Sequence, residues 1–416
     1  MDRELIDLGL ICSLLVVPRV LQRFKIPAPL TCLIFGVVAM LAFTDRVHDV
    51  ALVLFGALGI SSLFLFAGLD VDLGLLRQHA RSLSAFFLVY CTVMCGVGWA
   101  ACHFGQLPWQ ASGLLVLALF TPSTGFIVDS LKNFDLRDDE RAAVANIAIA
   151  GEVFALIALF IIQQASHLDQ MAIASMVLVG LLFGLPLLFV AFGRWVVPYA
   201  PGSEFSLLVM VGLIAAYATY KLGVYYLLGA FLVGLIARLL RQRMPLLASE
   251  ANLHAVSLFA SFFVPFYFFK VGTSIPSDAI SFSSLGVGVT LTLVVIPVRL
   301  AVVWFSLRIL FPLHSRSALT VAMLLTPTLV FTLVLAGILR ERFHIDAAYY
   351  GGFVLYAALS TLFPFFLLRA AASQSNNHAD ATVSNGASHD GATPLPPSEP
   401  KAAELPSLPG DREHER

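Results

Sequence analysis

The feature that most constrains the fold of this chain is a series of long apolar runs, separated by short polar stretches. Most runs are roughly 17 to 25 residues long, the length that a helix needs to cross a bilayer. Because lipid offers no hydrogen-bond partners, the backbone polar groups of such a segment must be bonded within the protein, and a helix does this. The pattern therefore predicts an all-α polytopic membrane protein.

The composition supports this interpretation. Of 416 residues, 59% are hydrophobic and 12% are charged, whereas a soluble domain is about 45–50% apolar and about 25% charged. The formal net charge is −1, so no nucleic-acid partner is expected, and the lipid bilayer is the expected environment.

The apolar runs divide into about 13 predicted transmembrane helices. The least obvious division follows Lys221, where only Leu222 and Gly223 separate two runs that are together too long for one span. The segments lie near residues 5–22, 28–43, 51–69, 82–103, 111–130, 142–163, 171–193, 204–220, 222–240, 254–274, 283–311, 316–339 and 347–369.

The positions of Lys and Arg orient the chain. Loops that follow odd-numbered segments contain fourteen of these residues, whereas the N-terminus and the even-numbered loops contain five. The positive-inside rule then places the N-terminus outside and the C-terminus in the cytoplasm. We expect an integral, multi-pass protein of the bacterial inner (plasma) membrane.

The end of the chain differs from the rest. Residues 373–416 are rich in Ala, Ser, Pro and Glu and contain few large apolar side chains. Such a composition buries too little apolar surface to fold. We therefore expect a transmembrane domain over residues 1–372 and a disordered cytoplasmic tail over residues 373–416.

Two segments carry a similar polar break in mid-span. Segment 5 contains Thr121, Pro122, Ser123 and Thr124, and segment 12 contains Thr326, Pro327 and Thr328. Proline removes a backbone donor and disrupts the preceding helical turn. Since the two segments are seven apart, they run in opposite directions, which is typical of an inverted-topology repeat with two interrupted helices. In this repeat segments 1–6 match segments 8–13; the alternative is a pair of ordinary proline kinks.

Among the ionisable residues inside predicted spans, three call for an explanation, because a charge at the bilayer centre costs at least about 2.5 kcal/mol. Glu152 lies in segment 6 and is either an ion-binding carboxylate or a protonated or paired structural group. Arg299 in segment 11 must face a carboxylate such as Glu152, free carbonyls or water, because arginine stays charged. Lys270 in segment 10 is either a charge partner or a side chain that extends to the interface.

The sequence does not suggest catalysis. No His, Cys and Glu spacing indicates a metal site, and no Walker, Rossmann or nucleophile-elbow motif is present. We therefore expect a protein that is not an enzyme and that has no cofactor and no metal centre.

Several stretches are similar to signatures of the monovalent cation–proton antiporter superfamily, which has the sodium/hydrogen exchanger fold. They cover about residues 5–370 and read RFKIPAPLTCLIFGVVAM, LGISSLFLFAGLDVDLGLLR, LGVYYLLGAFLVGLIA, VPFYFFKVGTSI and VLYAALSTLFPFFLLR.

This resemblance implies a homodimer with an elevator-like core of segments 4–6 and 11–13. It places the interrupted helices at Thr121–Thr124 and Thr326–Thr328, the ion-binding carboxylate at Glu152, and the basic residue of the eleventh helix at Arg299. Where the family usually has Asp preceded by Asn, Asp or Gln, this chain has Gly151 and Glu152.

We expect an antiporter that exchanges a monovalent cation, Na⁺ or K⁺, for H⁺. Its expected ion ligands are Glu152 and hydroxyl groups beside Pro122 and Pro327, together with freed carbonyls; the hydroxyls are those of Thr121, Ser123, Thr124, Thr326 and Thr328. With one titrating carboxylate, exchange should be near 1:1 and electroneutral. The alternatives are an anion or organic-solute transporter, with Arg299 and Lys270 binding an anion, and a non-transporting membrane sensor.

Overall fold

The computed structural model describes residues 3–386, except for 24–25, 43–49, 72, 132–133, 135, 165–167, 201, 222–225, 243–248 and 312–314. Within this part of the chain the regular secondary structure is helical, and no β-strand occurs.

Sixteen α-helices are present among the described residues. They are α1 Arg3–Gln22, α2 Ala28–Ala42, α3 Val50–Asp70, α4 Leu73–Gln78, α5 Ala80–Gly105, α6 Trp109–Phe120, α7 Thr124–Ser130, α8 Asp138–Gln164, α9 Leu168–Trp195, α10 Glu204–Lys221, α11 Tyr226–Leu239, α12 Glu250–Thr273, α13 Phe282–Leu310, α14 Ser315–Leu324, α15 Leu329–Phe343 and α16 Ala347–Gly386.

The described helices confirm an all-α polytopic membrane protein. Nine are long and apolar enough to cross a membrane, counting α6 and α7 together, and the bent pair Ser317–Leu324 and Leu329–Phe343 makes a tenth at an angle of 42°. Three shorter apolar helices are Leu8–Gln22, Ala28–Ala42 and Leu227–Leu239. This set is compatible with the predicted 13 spans.

Two predicted boundaries can be compared with the helices. The long apolar stretch around Lys221 does form two helices, since α10 ends at Lys221 and α11 begins at Tyr226. At the other boundary α16 continues past residue 372 to Gly386. Residues from Arg369 onward form a separate unit, and the tail predicted for 373–416 stays a prediction, because residues 387–416 lie outside the described part.

The helices before Arg369 form two packed groups. In the scaffold group, defined as α1–α3 with α10–α12, α2 packs on α12 and α3 packs on both α11 and α12. In the crossing group, defined as α5–α8 with α13–α15 and α16 up to Leu368, α6 packs on α5 and α15, and α13 packs on α5 and α14. Segments 1–3 thus associate with 8–10, and segments 4–6 with 11–13, so that each group combines corresponding segments of the two predicted repeats.

Glycines allow the backbones of the scaffold group to approach closely. A Cβ atom at Gly68 of α3 would collide with the carbonyl of Phe231, and one at Gly234 of α11 would collide with the carbonyl of Leu65. Small residues at such crossings increase van der Waals contact, which stabilises helix association where lipid competes equally for apolar surface.

This packing predicts the effect of enlarging Gly234. Gly234→Ala should lower stability by about 1–3 kcal/mol, because the added methyl group forces α3 and α11 apart. The measurement is the thermal unfolding midpoint of the purified protein in detergent. Gly180→Ala on α9 is the matched control, since no atom lies within 4 Å of a Cβ there; equal midpoints for both variants would contradict the prediction.

Candidate functional site

The first break divides segment 5 into α6 and α7. The helix α6 ends at Phe120, the backbone is extended at Thr121 and Ser123, and α7 begins at Thr124. Pro122 lies between the extended residues, where its missing N–H and its ring prevent a continuous helix. The hydroxyl-bearing residues Thr121, Ser123 and Thr124 are all buried.

The second break divides segment 12 into α14 and α15. The helix α14 ends at Leu324 and α15 begins at Leu329, so that the break contains Thr326, Pro327 and Thr328. Both breaks therefore lie where the sequence predicts them.

The two breaks are bonded directly to each other. The backbone N–H of Ser123 donates to the carbonyl of Pro327 at 2.9 Å, and the N–H of Val330 donates to the Ser123 hydroxyl at 2.9 Å. The Thr332 hydroxyl donates to the carbonyl of Ala118 at 2.6 Å. Two half-helices from distant parts of the chain thus form one crossing at the centre of their helix group.

Arg299 caps the end of α14. Its guanidinium donates to the carbonyls of Leu325 at 2.8 Å and Thr326 at 2.7 Å, and only 2% of its surface is exposed. The last carbonyls of a helix carry partial negative charge and lack partners within the helix. The guanidinium satisfies these carbonyls with charged hydrogen bonds. The partial negative charge of the carbonyls in turn offsets the charge of the arginine.

Tyrosine hydroxyls cap the end of α6. Tyr90 donates to the carbonyl of Phe120 at 2.6 Å, and Tyr356 donates to the carbonyl of Leu119 at 2.7 Å. Tyr356 also accepts a hydrogen bond from Arg299 at 3.3 Å. Tyr90 lies on α5, the helix before the first broken segment, and Arg299 lies on α13, the helix before the second. In each predicted repeat, the helix before the broken segment thus provides a donor to the carbonyls at the break.

Most of the predicted ligand hydroxyls are also bonded within the protein. Thr326 donates to a carbonyl of its own segment at 2.7 Å. The hydroxyl of Thr328 lies 2.8 Å from the Thr332 hydroxyl and 3.1 Å from the Ser360 hydroxyl. Together with the bond to the Ser123 hydroxyl, these contacts give Ser123, Thr326 and Thr328 structural roles at the crossing.

Glu152 lies beside the first break. Its side chain, on α8, is 5% exposed and faces the hydroxyl of Thr124, which makes no hydrogen bond of good geometry within the described residues. Gly151, the residue before Glu152, allows α8 to pack closely against the first break, because a Cβ at this position would lie only 3.1 Å from Cγ of Pro122. The site thus pairs a buried carboxylate with the buried hydroxyl of Thr124.

Glu152 and Arg299 do not form an ion pair with each other in the described part of the chain. Thr121 and Gly151 line a small cavity next to Arg299, with a volume of about 20 Å³, which is enough for one water molecule. The partner of Arg299 is therefore a set of carbonyls and Tyr356, one of the possibilities that the sequence left open.

Lys270 does not join the crossing. It lies half-buried on α12 of the scaffold group, and a Cβ at Gly56 of α3 would lie 3.4 Å from its Cβ. The structure therefore does not bring Lys270 and Arg299 together at one place.

Sequence reasoning missed four residues of the crossing: Tyr90, Thr332, Tyr356 and Ser360. Each presents a hydroxyl inside an apolar helix, and a buried hydroxyl needs a partner. That need is a usable signal, although it does not say which carbonyl is the partner.

A larger cavity leads from the surface toward the crossing. It has a volume of about 530 Å³ and is lined by both helix groups. Gly125, which follows Thr124, and Val330, which follows the second break, both line it. The crossing is therefore adjacent to a space large enough for several water molecules.

Comparison with known proteins identifies the family of the chain. The model of the transmembrane sodium/hydrogen exchanger family matches residues 10–369. A Na⁺/H⁺ antiporter from Enterococcus hirae is 23% identical over 383 residues, which cover 87% of this chain and 97% of the relative.

Solved structures share the fold. The structure of the sodium proton antiporter MjNhaP1 from Methanocaldococcus jannaschii aligns with a TM-score of 0.64 at 15% identity, covering 89% of this chain and 98% of that chain. A structure of the same antiporter from electron microscopy aligns with a TM-score of 0.61 at 15% identity, covering 90% and 97%.

The capping of α14 predicts a loss of stability on replacing Arg299. Arg299→Gln removes a charged fork and leaves a buried carbonyl without its donor, which should cost about 1–3 kcal/mol. Thermal unfolding in detergent measures this loss. Arg308→Gln, at an exposed position of the same helix, is the control, and an Arg299→Gln variant as stable as this control would refute the capping role.

Proposed function

Because the chain belongs to the sodium/hydrogen exchanger family, we propose that it is a secondary active transporter that exchanges a monovalent cation, Na⁺ or K⁺, for H⁺ by alternating access. It is an integral, multi-pass membrane protein of a transporter family. The observation that carries the proposal is the position of Glu152, which is buried beside a broken helix and next to the hydroxyl of Thr124.

Exchange follows from the cost of burying charge. A lone ionised carboxylate is unstable in an apolar interior, so Glu152 is neutralised either by a proton or by a bound cation. A carboxylate that has bound a proton is neutral and has little affinity for a cation, so that the two ions compete for it. If only the neutralised form crosses the membrane, each cation that moves one way is matched by a proton that moves the other way.

The proposed cation site is smaller than the set of polar residues at the crossing. Hard cations prefer oxygen ligands. The carboxylate of Glu152 and the hydroxyl of Thr124 provide side-chain oxygens that, among the described residues, do not bond the two breaks to each other. Thr121 is a further candidate on the side of the small cavity. Ser123, Thr326 and Thr328 support the site by fixing the two breaks relative to each other.

Charge balance supports electroneutral exchange. Arg299 is a permanent charge bonded to helix-end carbonyls, and Glu152 is the buried carboxylate that lies beside the first break. The crossing thus carries the same charge with a proton as with a monovalent cation. We propose near 1:1 exchange by a homodimer in the bacterial inner membrane, with the N-terminus outside and the C-terminus in the cytoplasm.

No structural observation favours the anion alternative. It needs Arg299 and Lys270 at one site, whereas Lys270 lies in the scaffold group against Gly56. The terminal nitrogens of Arg299 already donate to two carbonyls and to Tyr356.

Replacing Glu152 tests the assignment. In proteoliposomes, Glu152→Gln should abolish cation flux driven by a pH gradient, because the amide can neither bind a proton nor balance a cation. Glu341→Gln, an exposed change of the same type at the end of α15, should transport like the wild type. Undiminished flux in Glu152→Gln would remove this residue from the mechanism.

A second pair of variants separates a ligand from a structural hydroxyl. Thr124→Val should raise KM for the cation roughly tenfold with little change in unfolding temperature, as expected when a ligand contributes equally to ground and transition states. Ser123→Ala should instead lower stability by about 1–3 kcal/mol, because the N–H of Val330 loses its acceptor. The assignment fails if the two variants change KM and stability in the same proportion.

A further inference from the structure

The scaffold group and the crossing group stand apart at one end of the molecule. The cavity of about 530 Å³ lies between them there. From the scaffold group it is lined by the last turns of α1 and by α12, including Arg19, Ser257 and Ser261; from the crossing group it is lined by Gly125, Val330 and Phe365.

At the other end of the same helices the two groups are bonded. The guanidinium of Arg340, in the last turn of α15, donates to the carbonyl of Ser274 at 3.1 Å, and Ser274 is the C-cap residue that directly follows α12. Arg340 also lies over the ring of Tyr350, 5.1 Å from its centroid, and Tyr350 is buried.

The cavity and this bond lie far apart along α15. Val330, which lines the cavity, and Arg340 are ten residues apart, which is about 15 Å along a helix axis. On α12 the order is the same, since the lining of the cavity runs from Ser257 to Phe268 and Ser274, six residues further on, accepts the bond. A rocking of one group against the other that closes the cavity would therefore separate Arg340 from Ser274.

The chemistry of the contact suits a reversible connection. The carbonyl of Ser274 lies at the C-terminal end of α12, where the helix dipole favours a cation. The bond comes from one flexible side chain, and the tyrosine ring stabilises the same cation. Such a contact is strong enough to bias two conformers and weak enough to break during a transport cycle.

We propose that Arg340, by binding the C-terminal end of α12, is a latch that stabilises the conformer in which the cavity of about 530 Å³ is open at the opposite end. The proposal rests on the proposed transport by alternating access and adds the residue that sets the balance between its two conformers. By the charge-based orientation the latch lies on the external side and the cavity on the cytoplasmic side.

The test measures how accessible the cavity is. In a chain whose five native cysteines are replaced by serine, Ser257→Cys reports on the cavity through its rate of reaction with a maleimide in detergent. Adding Arg340→Gln should lower the ratio of open to closed conformers roughly tenfold, the effect of losing one charged hydrogen bond. Labelling should then be slower, because its rate follows the fraction of molecules in the open conformer. Arg340→Lys, which keeps the charge, should restore most of the rate.

Two controls separate the latch from general damage. Arg342→Gln makes the same charge change at an exposed position of the same helix end and should leave the labelling rate unchanged. The thermal unfolding midpoint of each variant shows that the labelled protein is folded. An Arg340→Gln variant that is folded and is labelled as fast as the wild type, or faster, would overturn the latch.

A parallel flux measurement keeps the two proposals distinguishable. If the wild type exchanges cation for H⁺ in proteoliposomes but Arg340→Gln does not slow labelling, the latch alone is wrong. If Arg340→Gln slows labelling but the wild type exchanges no cation, the latch is supported as a conformational contact and the proposed transport is wrong.

Discussion

The whole crossing depends on hydrogen bonds to the carbonyls that two broken helices leave free. Inside a membrane such carbonyls have no water to bond, and each one left alone would cost several kcal/mol. Arg299 satisfies the end of α14, and Tyr90 and Tyr356 satisfy the end of α6. Without these three donors, the breaks at Pro122 and Pro327 would leave buried carbonyls without a hydrogen-bond partner.

This capping also separates the electrostatic roles of the two buried ionisable residues. Arg299 bonds to helix-end carbonyls, whose partial negative charge offsets its own, and it therefore does not neutralise Glu152. Glu152 faces Thr124. A carboxylate without a counter-ion among the residues that the structure describes is the kind of group that a proton or a cation can neutralise in turn, and this is why the capping network bears directly on the proposed exchange.

The sequence predicted the elements of this structure better than their contacts. Apolar runs gave the spans, and the break positions followed from Pro122 and Pro327, because the physics of proline is local. Glu152 was identifiable because a carboxylate inside a span needs a reason. Tyr90 and Tyr356 were missed, since a tyrosine in a membrane helix is unremarkable until the carbonyl it caps is known.

By itself, the sequence determined the fold class, the broken segments and the presence of a buried carboxylate and a buried arginine, since each depends on residue type and on spacing along the chain. Only the tertiary structure decided that Arg299 bonds carbonyls and not Glu152, that Lys270 lies outside the crossing, and that Thr124 is the hydroxyl beside Glu152. These outcomes depend on which groups from distant helices meet. The direction of a side chain at such a meeting is set by the packing of several helices at once.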